Sequence, residues 1–343
     1  SQNTAAINGG AIANFTGNAP SIGYISATFN QNTAGYGGAI YNQGLIGEID
    51  ANGDYVAGKG IINSTFTGNQ SSGFTGSYGG AIANMAGSTI TNIIADFTSN
   101  STTASTSNNG GGAIFNNINS RIYNITGTFT QNSATAAEGA SANLIAGGAI
   151  YNHGGIIDSI ANSTFDRNTS TNYGGAIGNT NYSSTIKGII KSISGATFTG
   201  NTTRTSGGAI YNNAIIGVLD ENDGTPVANT GILNSTFSDN TISGGYGGGA
   251  IINASSSAVI TYIDADFTRN KSNATVNQNG GGAIYNAGTI YDITGDFTSN
   301  EVNSTDTTRS TIGGGAIFNN AASIGNIHDS TFLQNTSTNP GGA

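Results

Sequence analysis

Residues 79–100 read GGAIANMAGSTITNIIADFTSN, and residues 248–270 read GGAIINASSSAVITYIDADFTRN. Each stretch opens on Gly-Gly-Ala-Ile and sets an asparagine two residues later, Asn84 or Asn253. Each then carries an Ile-x-x-Ile pair (Ile90 and Ile93, Ile260 and Ile263) and closes on Phe-x-x-Asn (Phe97 to Asn100, Phe267 to Asn270). The opening tetrapeptide occurs ten times, at Gly9, Gly37, Gly79, Gly111, Gly147, Gly174, Gly207, Gly248, Gly281 and Gly314. A truncated copy stands at Gly341-Gly342-Ala343, and Phe-x-x-Asn falls in all ten intervals. Self-similarity at this period marks a solenoid, in which each repeat buries its apolar face only against its neighbours.

Composition narrows the class. With 54 glycines and only 8% charged residues the chain has the look of a disordered, low-complexity segment. The isoleucines and phenylalanines keep phase over the whole length, which disorder does not require. Three prolines and a rich supply of Ile, Thr, Tyr and Phe favour strands. A net charge of -9 with scattered single Lys and Arg argues against nucleic acid, which needs clustered cations to displace counterions. Zero cysteines removes thiol and disulfide chemistry. No apolar run approaches the ~18 residues of a membrane span, and no signal peptide is visible. The chain reads as an uncapped piece of something longer.

One repeat holds three short apolar segments separated by glycine and polar turns. Three short strands per coil, stacked on the next coil, make an all-β, right-handed parallel β-helix of about ten coils, the hand being the usual one for parallel crossovers. At a spacing of about 4.8 Å, ten coils extend roughly 48 Å. Strand alternation assigns the faces: with Ile40 inward, Tyr41 points away from the lumen, and Asn42 points in or into the corner. The two asparagine columns are then amide ladders, and the Ile and Phe columns are core.

A second period overlies the first. Coil lengths run 28, 42, 32, 36, 27 and then 33, 41, 33, 33, 27 residues, so long falls on long five coils apart. The expectation is one solenoid over residues 1–343 with two five-coil super-repeats, about 9–173 and about 174–343.

Two sets of residues are candidates for binding. The column after Ile carries Tyr41, Phe115, Tyr151, Tyr211, Tyr285 and Phe318. As exposed aromatics at strand spacing these bind sugar rings or pack on a neighbouring rod; as a cross-coil ladder they stabilise the sheet. The long inserts carry Asp50, Asn52 and Asp54, and Asp220, Asn222 and Asp223. Oxygen ligands around a glycine suit calcium, while Asn-Gly and Asp-Gly between apolar residues suit plain hairpin turns. Catalysis is not expected, because acids are sparse and His153 and His328 occupy different places in their coils.

Gly-Gly-Ala-Ile alternating with Phe-x-x-Asn resembles the passenger repeats of the chlamydial polymorphic outer membrane proteins and, more broadly, of bacterial autotransporter adhesins. The resemblance implies a β-helix displayed outside the cell and a role in adhesion. The expected function is thus an extracellular structural or adhesive rod that contacts itself, surface glycans or neighbouring cells. The alternative is a glycan-binding or glycan-cleaving β-helix that uses the insert loops.

Overall fold

The computed structural model describes residues 2–17, 20–72, 76–104, 109–137, 145–273, 280–303 and 313–338, and every structural statement here concerns these. The copy at Gly341-Gly342-Ala343 lies outside them. The chain winds as a β-solenoid whose three principal sheets are parallel throughout.

The first sheet has ten strands in chain order, each made of the residues that close Gly-Gly-Ala-Ile and reach the asparagine, from Ile12–Asn14 to Ile317–Asn319. Register is like over like: Ile40 pairs with Ile82 and Asn42 with Asn84, and Ile114 with Ile150 and Asn116 with Asn152. The second sheet takes both the Ile-x-x-Ile pair and the Phe segment. In several coils these form one continuous strand, as in Thr89–Thr98, Val259–Thr268 and Thr289–Thr298. The third sheet is built from residues directly after the Phe-x-x-Asn asparagine, from Thr33–Ala34 to Thr336–Ser337. Three strands per coil therefore hold, but their allotment differs from the sequence reading. The Ile pair and the Phe share a sheet because the chain runs straight between them. The third strand comes from a Ser/Thr/Ala segment too polar to register as core.

The lumen is filled by stacked identical side chains. Phe29, Phe66, Phe97, Phe129, Phe165, Phe198, Phe237, Phe267, Phe297 and Phe332 form one file with centroid spacings of 4.5–5.0 Å and interplanar angles of 1–9°. The coil spacing sets that distance, and each such contact adds about 0.5–1.5 kcal/mol beyond the burial of the ring. Ile82, Ile90, Ile93 and their counterparts in the inner coils complete the core fully buried, while those of the end coils, such as Ile12 and Ile327, are partly open.

The glycine pair is required sterically at both positions. Gly37 has φ +59°, and a Cβ there would meet the Ile40 carbonyl oxygen at 2.0 Å. A Cβ on Gly38 would lie 2.1 Å from the Gly80 carbonyl oxygen of the next coil, and one on Gly112 would lie 2.0 Å from that of Gly148. The first glycine turns the chain, and the second lets adjacent coils touch backbone to backbone.

Two asparagine ladders run the length of the rod. In one, each Nδ2 of Asn14, Asn42, Asn84, Asn116, Asn152, Asn179, Asn212, Asn253 and Asn286 donates to Oδ1 of the next asparagine at 2.8–2.9 Å, ending at Asn319. The other runs from Asn3 through Asn32, Asn69, Asn100, Asn132, Asn168, Asn201, Asn240, Asn270 and Asn300 to Asn335 at 2.7–3.0 Å. In this second ladder the amide does more. Asn132 Nδ2 also donates to the Phe97 carbonyl of the preceding coil (3.0 Å), while its Oδ1 accepts from both the backbone N and Nδ2 of Asn100 (3.0 Å each). In both ladders one Nδ2–H points toward the C-terminal end to the next asparagine, and in the second ladder the other turns back to the preceding coil.

Replacing Asn132 with alanine strips partners from Asn100, Asn168 and Phe97 at once, inside a buried column. The expected loss is about 2–4 kcal/mol, since each buried polar group left unpaired costs about 1–3 kcal/mol. Denaturant unfolding reads the magnitude. Amide exchange should show the loss of protection concentrated in the coils on either side, because a coil touches only its neighbours.

Candidate functional site: the insert-bearing flank and the covered aromatic column

The two long inserts fold as hairpins on the outside of the second sheet. Ile49 and Tyr55 form an antiparallel bridge, as do Leu219 and Pro226. Asp50 Oδ1 accepts from the backbone N of Asn52 and of Asp54, at 2.9 Å each. In the second hairpin Asp220 Oδ1 accepts from Asn222 N and Nδ2 (2.8 and 3.0 Å), and Asp223 Oδ1 from Thr225 N and Oγ1 (2.9 and 2.7 Å). These bonds hold the carboxylates of Asp220 and Asp223 below the usual acid range. Asp50, Asp220 and Asp223 thus act as turn caps, and Asn52 and Asp54 give their backbone N–H to that turn. Of the two readings weighed for the inserts, this geometry carries the hairpin. Among the described residues no group of three or more His, Asp or Glu is arranged to hold a metal ion.

Each hairpin is strapped down across the following coils. Thr91 Oγ1 and Asn92 Nδ2 donate to the Lys59 carbonyl at 3.0 and 2.8 Å. The tip is held two coils on, where the Tyr123 hydroxyl donates to the Gly53 carbonyl at 3.2 Å and the Tyr55 ring lies 5.6 Å from that of Tyr123. The second strap repeats this arrangement: Thr261 Oγ1 donates to the Thr230 carbonyl at 3.0 Å, and the Tyr291 hydroxyl to the Gly224 carbonyl at 3.3 Å. The tethering tyrosines escaped the sequence reading, although each stands directly after the first isoleucine of its Ile-x-x-Ile pair, two coils beyond an insert.

The aromatic column is where the structure overturns an expectation. Tyr41, Phe115, Tyr151 and Tyr285 do point away from the lumen, yet they are only 1–6% exposed, and Tyr211 and Phe318 are part-buried. The glycine turn folds the preceding residues back over the strand. Tyr36, Tyr78, Gly110, Ala146, Tyr173 and Ser206 form their own bridged ladder there. Tyr78 stacks on Phe115 at 4.4 Å, Tyr36 lies 6.5 Å from Tyr41, Tyr173 packs on Tyr211 at 4.4 Å and Tyr246 on Tyr285 at 6.2 Å. Burial raises the phenol pKa of Tyr41, Tyr151, Tyr211 and Tyr285. The column is a second, outer core that stabilises the sheet, not an open sugar platform.

His153 forms a polar cluster within this layer. Its Nδ1 lies 3.1 Å from the Tyr151 hydroxyl and 2.9 Å from Thr180 Oγ1, which in turn donates to the Tyr151 oxygen at 3.1 Å. The Tyr182 ring covers it edge-on at 5.5 Å. Burial pushes the imidazole down to about 4, so the folded state holds it neutral. Elsewhere charges pair on the surface: Asp158 takes Arg121 at 2.6 Å and Lys191 at 2.9 Å, with the Arg121 guanidinium 4.0 Å from the Tyr123 ring. His328 sits apart between Asp292 and Asp329, which raise its pKa.

Two outcomes follow from this geometry. Tyr123→Phe removes one exposed hydrogen bond worth about 0.5–1.5 kcal/mol; limited proteolysis should cut the 50–56 strap faster while the coils stay protected. For His153, the unfolded imidazole takes a proton near pH 6.5 and the folded one only near 4. Its contribution is therefore whole above about 6.5 and falls as pH drops toward 4. Melting scans at pH 7 and pH 5 should show a smaller acid-induced drop for His153→Gln than for the parent.

Three segments, residues 26–43, 162–180 and 195–213, match the Chlamydia polymorphic membrane protein repeat. Each runs from just before a Phe-x-x-Asn to just past the next first-ladder asparagine. Together they take in Phe29, Phe165 and Phe198, three of the glycine pairs, and one asparagine of each ladder per segment. The likeness rests on residues that build the coil. No curated protein and no solved structure matches the chain.

Proposed function

We propose that this chain is the rod-like portion of a cell-surface protein that works by contact, in attachment or self-association, and not by turnover. The observation that carries the reading is the triple match to a membrane-protein repeat at coil-building positions. The fold supports it. Identical residues stacked through ten-stranded sheets yield length and lateral area, while the long inserts project outside the sheets. Most charged groups are paired with one another or cap turns, as with Asp158, Asp239, Asp50 and Asp220. No helix among the described residues is long and apolar enough to cross a membrane.

The rod presents three kinds of surface to a partner: a Ser/Thr-lined third sheet, a strap-bearing second sheet, and the turn before the glycine pair, which carries Tyr36, Tyr78 and Tyr173. Antibody raised against the chain should label intact source cells without permeabilisation, and beads coated with the chain should adhere to cells or to one another. Labelling that appears only after permeabilisation would sink the surface assignment. Labelled cells with inert beads would sink the attachment and self-association part alone.

A further inference from the structure

The second sheet is not uniform along the rod. From the second isoleucine of the pair to the phenylalanine the chain takes five residues in one coil, Ile61 to Phe66, but four in the next, Ile93 to Phe97. The extra residue is Asn63, in left-handed conformation at φ 49°, and the register shifts between Ile94 and Ala95. The same step from a five-residue to a four-residue coil recurs once more, from Ile232–Phe237 to Ile263–Phe267, with Asn234 at φ 47°. A bulge that meets an unbulged neighbour cannot continue the flat pairing, and a dent opens on the outer surface.

Both dents are cavities of matching size, about 310 Å³ and about 290 Å³. The first is lined by Asn63, Thr65, Ile94, Asp96 and Thr126, and the second by Asn234, Thr236, Asp264 and Asp266 at corresponding positions. Neither lining includes a Lys, Arg or His. Asp96 Oδ1 accepts from Thr128 (N at 3.2 Å, Oγ1 at 2.6 Å), and Asp266 Oδ1 accepts from the Asp296 backbone N at 3.0 Å. In each case Oδ2 has no hydrogen-bond partner among the described residues.

We propose that the two dents are copies of one binding site for a neutral, hydroxyl-rich ring, a single sugar unit of a glycan. The cavity volume is at the small end of ligand sites, about 300–1,000 Å³, and so suits one ring and not a chain. A free carboxylate oxygen, a primary amide and threonine hydroxyls offer acceptors and donors for vicinal hydroxyls. The carboxylates and the absence of a cation turn away sulfated, phosphorylated and sialylated rings. Ile94 in the first dent is replaced by Asp264 in the second, so the second is the more polar of the two copies. Five coils separate the copies, about 24 Å at strand spacing, and a glycan that engages both gains avidity without new contacts.

This names a ligand class for the attachment reading above, but it is tested in solution and stands or falls separately from the protein's location. Methyl β-D-glucopyranoside titrated into the isotope-labelled chain should shift the amides of Gly127 and Gly295 and their neighbours, and N-acetylneuraminic acid should not. The double variant Thr65→Trp, Thr236→Trp fills both dents from exposed positions, and binding should weaken at least about tenfold, some 1.4 kcal/mol. Absent shifts in the parent chain, shifts confined to other coils, equal binding of the anionic sugar, or full affinity in a folded double variant would each overturn the proposal.

Discussion

A buried primary amide has two donors and an acceptor with two lone pairs to satisfy, and beside an apolar lumen it satisfies them against copies of itself and the backbone of the adjoining coils. The ladder through Asn132 shows how completely this is met: each amide takes a carbonyl from the coil before and an amide from the coil after. That requirement fixes the vertical position of every coil relative to the next. Phe stacks on Phe at 4.5–5.0 Å, and Gly38 slides under Gly80, because the asparagines have already set like over like. A one-residue slip would set Asn42 opposite Ala83 or Met85 instead of Asn84 and leave the buried amides unpaired.

With register held at two corners, the rest of the coil is free to change length. Extra residues are absorbed outside the lumen, as the straps at 47–60 and 217–230 and as single-residue bulges at Asn63, Asn162 and Asn234. The straps do not hang free. They lie back over the following coils and are pinned by tyrosines two coils away, so a long coil alters the surface of its neighbours as well as its own. The outer aromatic layer works similarly. A residue ahead of the glycine pair covers the aromatic behind it, and a rod with a narrow lumen thereby gains a second apolar seam.

Function in such a molecule resides in what interrupts the regularity. The stretches that match the Chlamydia polymorphic membrane protein repeat lie within the regular part. On the reading proposed above, specific contact falls to the straps, the dents at the bulge steps and the tyrosine turn, each placed by a local departure from the average coil. His153, held neutral among Tyr151, Thr180 and Tyr182, ties one such departure to pH.

Sequence alone determined the solenoid, its parallel register and its two amide ladders, because these follow from one-dimensional periodicity: what repeats must stack, and what stacks must be satisfied by its own kind. The identity of the core Ile and Phe files was legible for the same reason. Tertiary structure decided the rest. Tyr41, Phe115 and Tyr151 read as exposed because strand alternation says only which way a side chain points; whether chain lies above it depends on a turn at the glycine pair. The third sheet was hidden since its inward residues, such as Ser71, Thr102 and Ser170, are polar and buried by the path of the chain, not by their own hydrophobicity. The straps and the dents likewise depend on contacts made one or two coils away, which no single repeat contains.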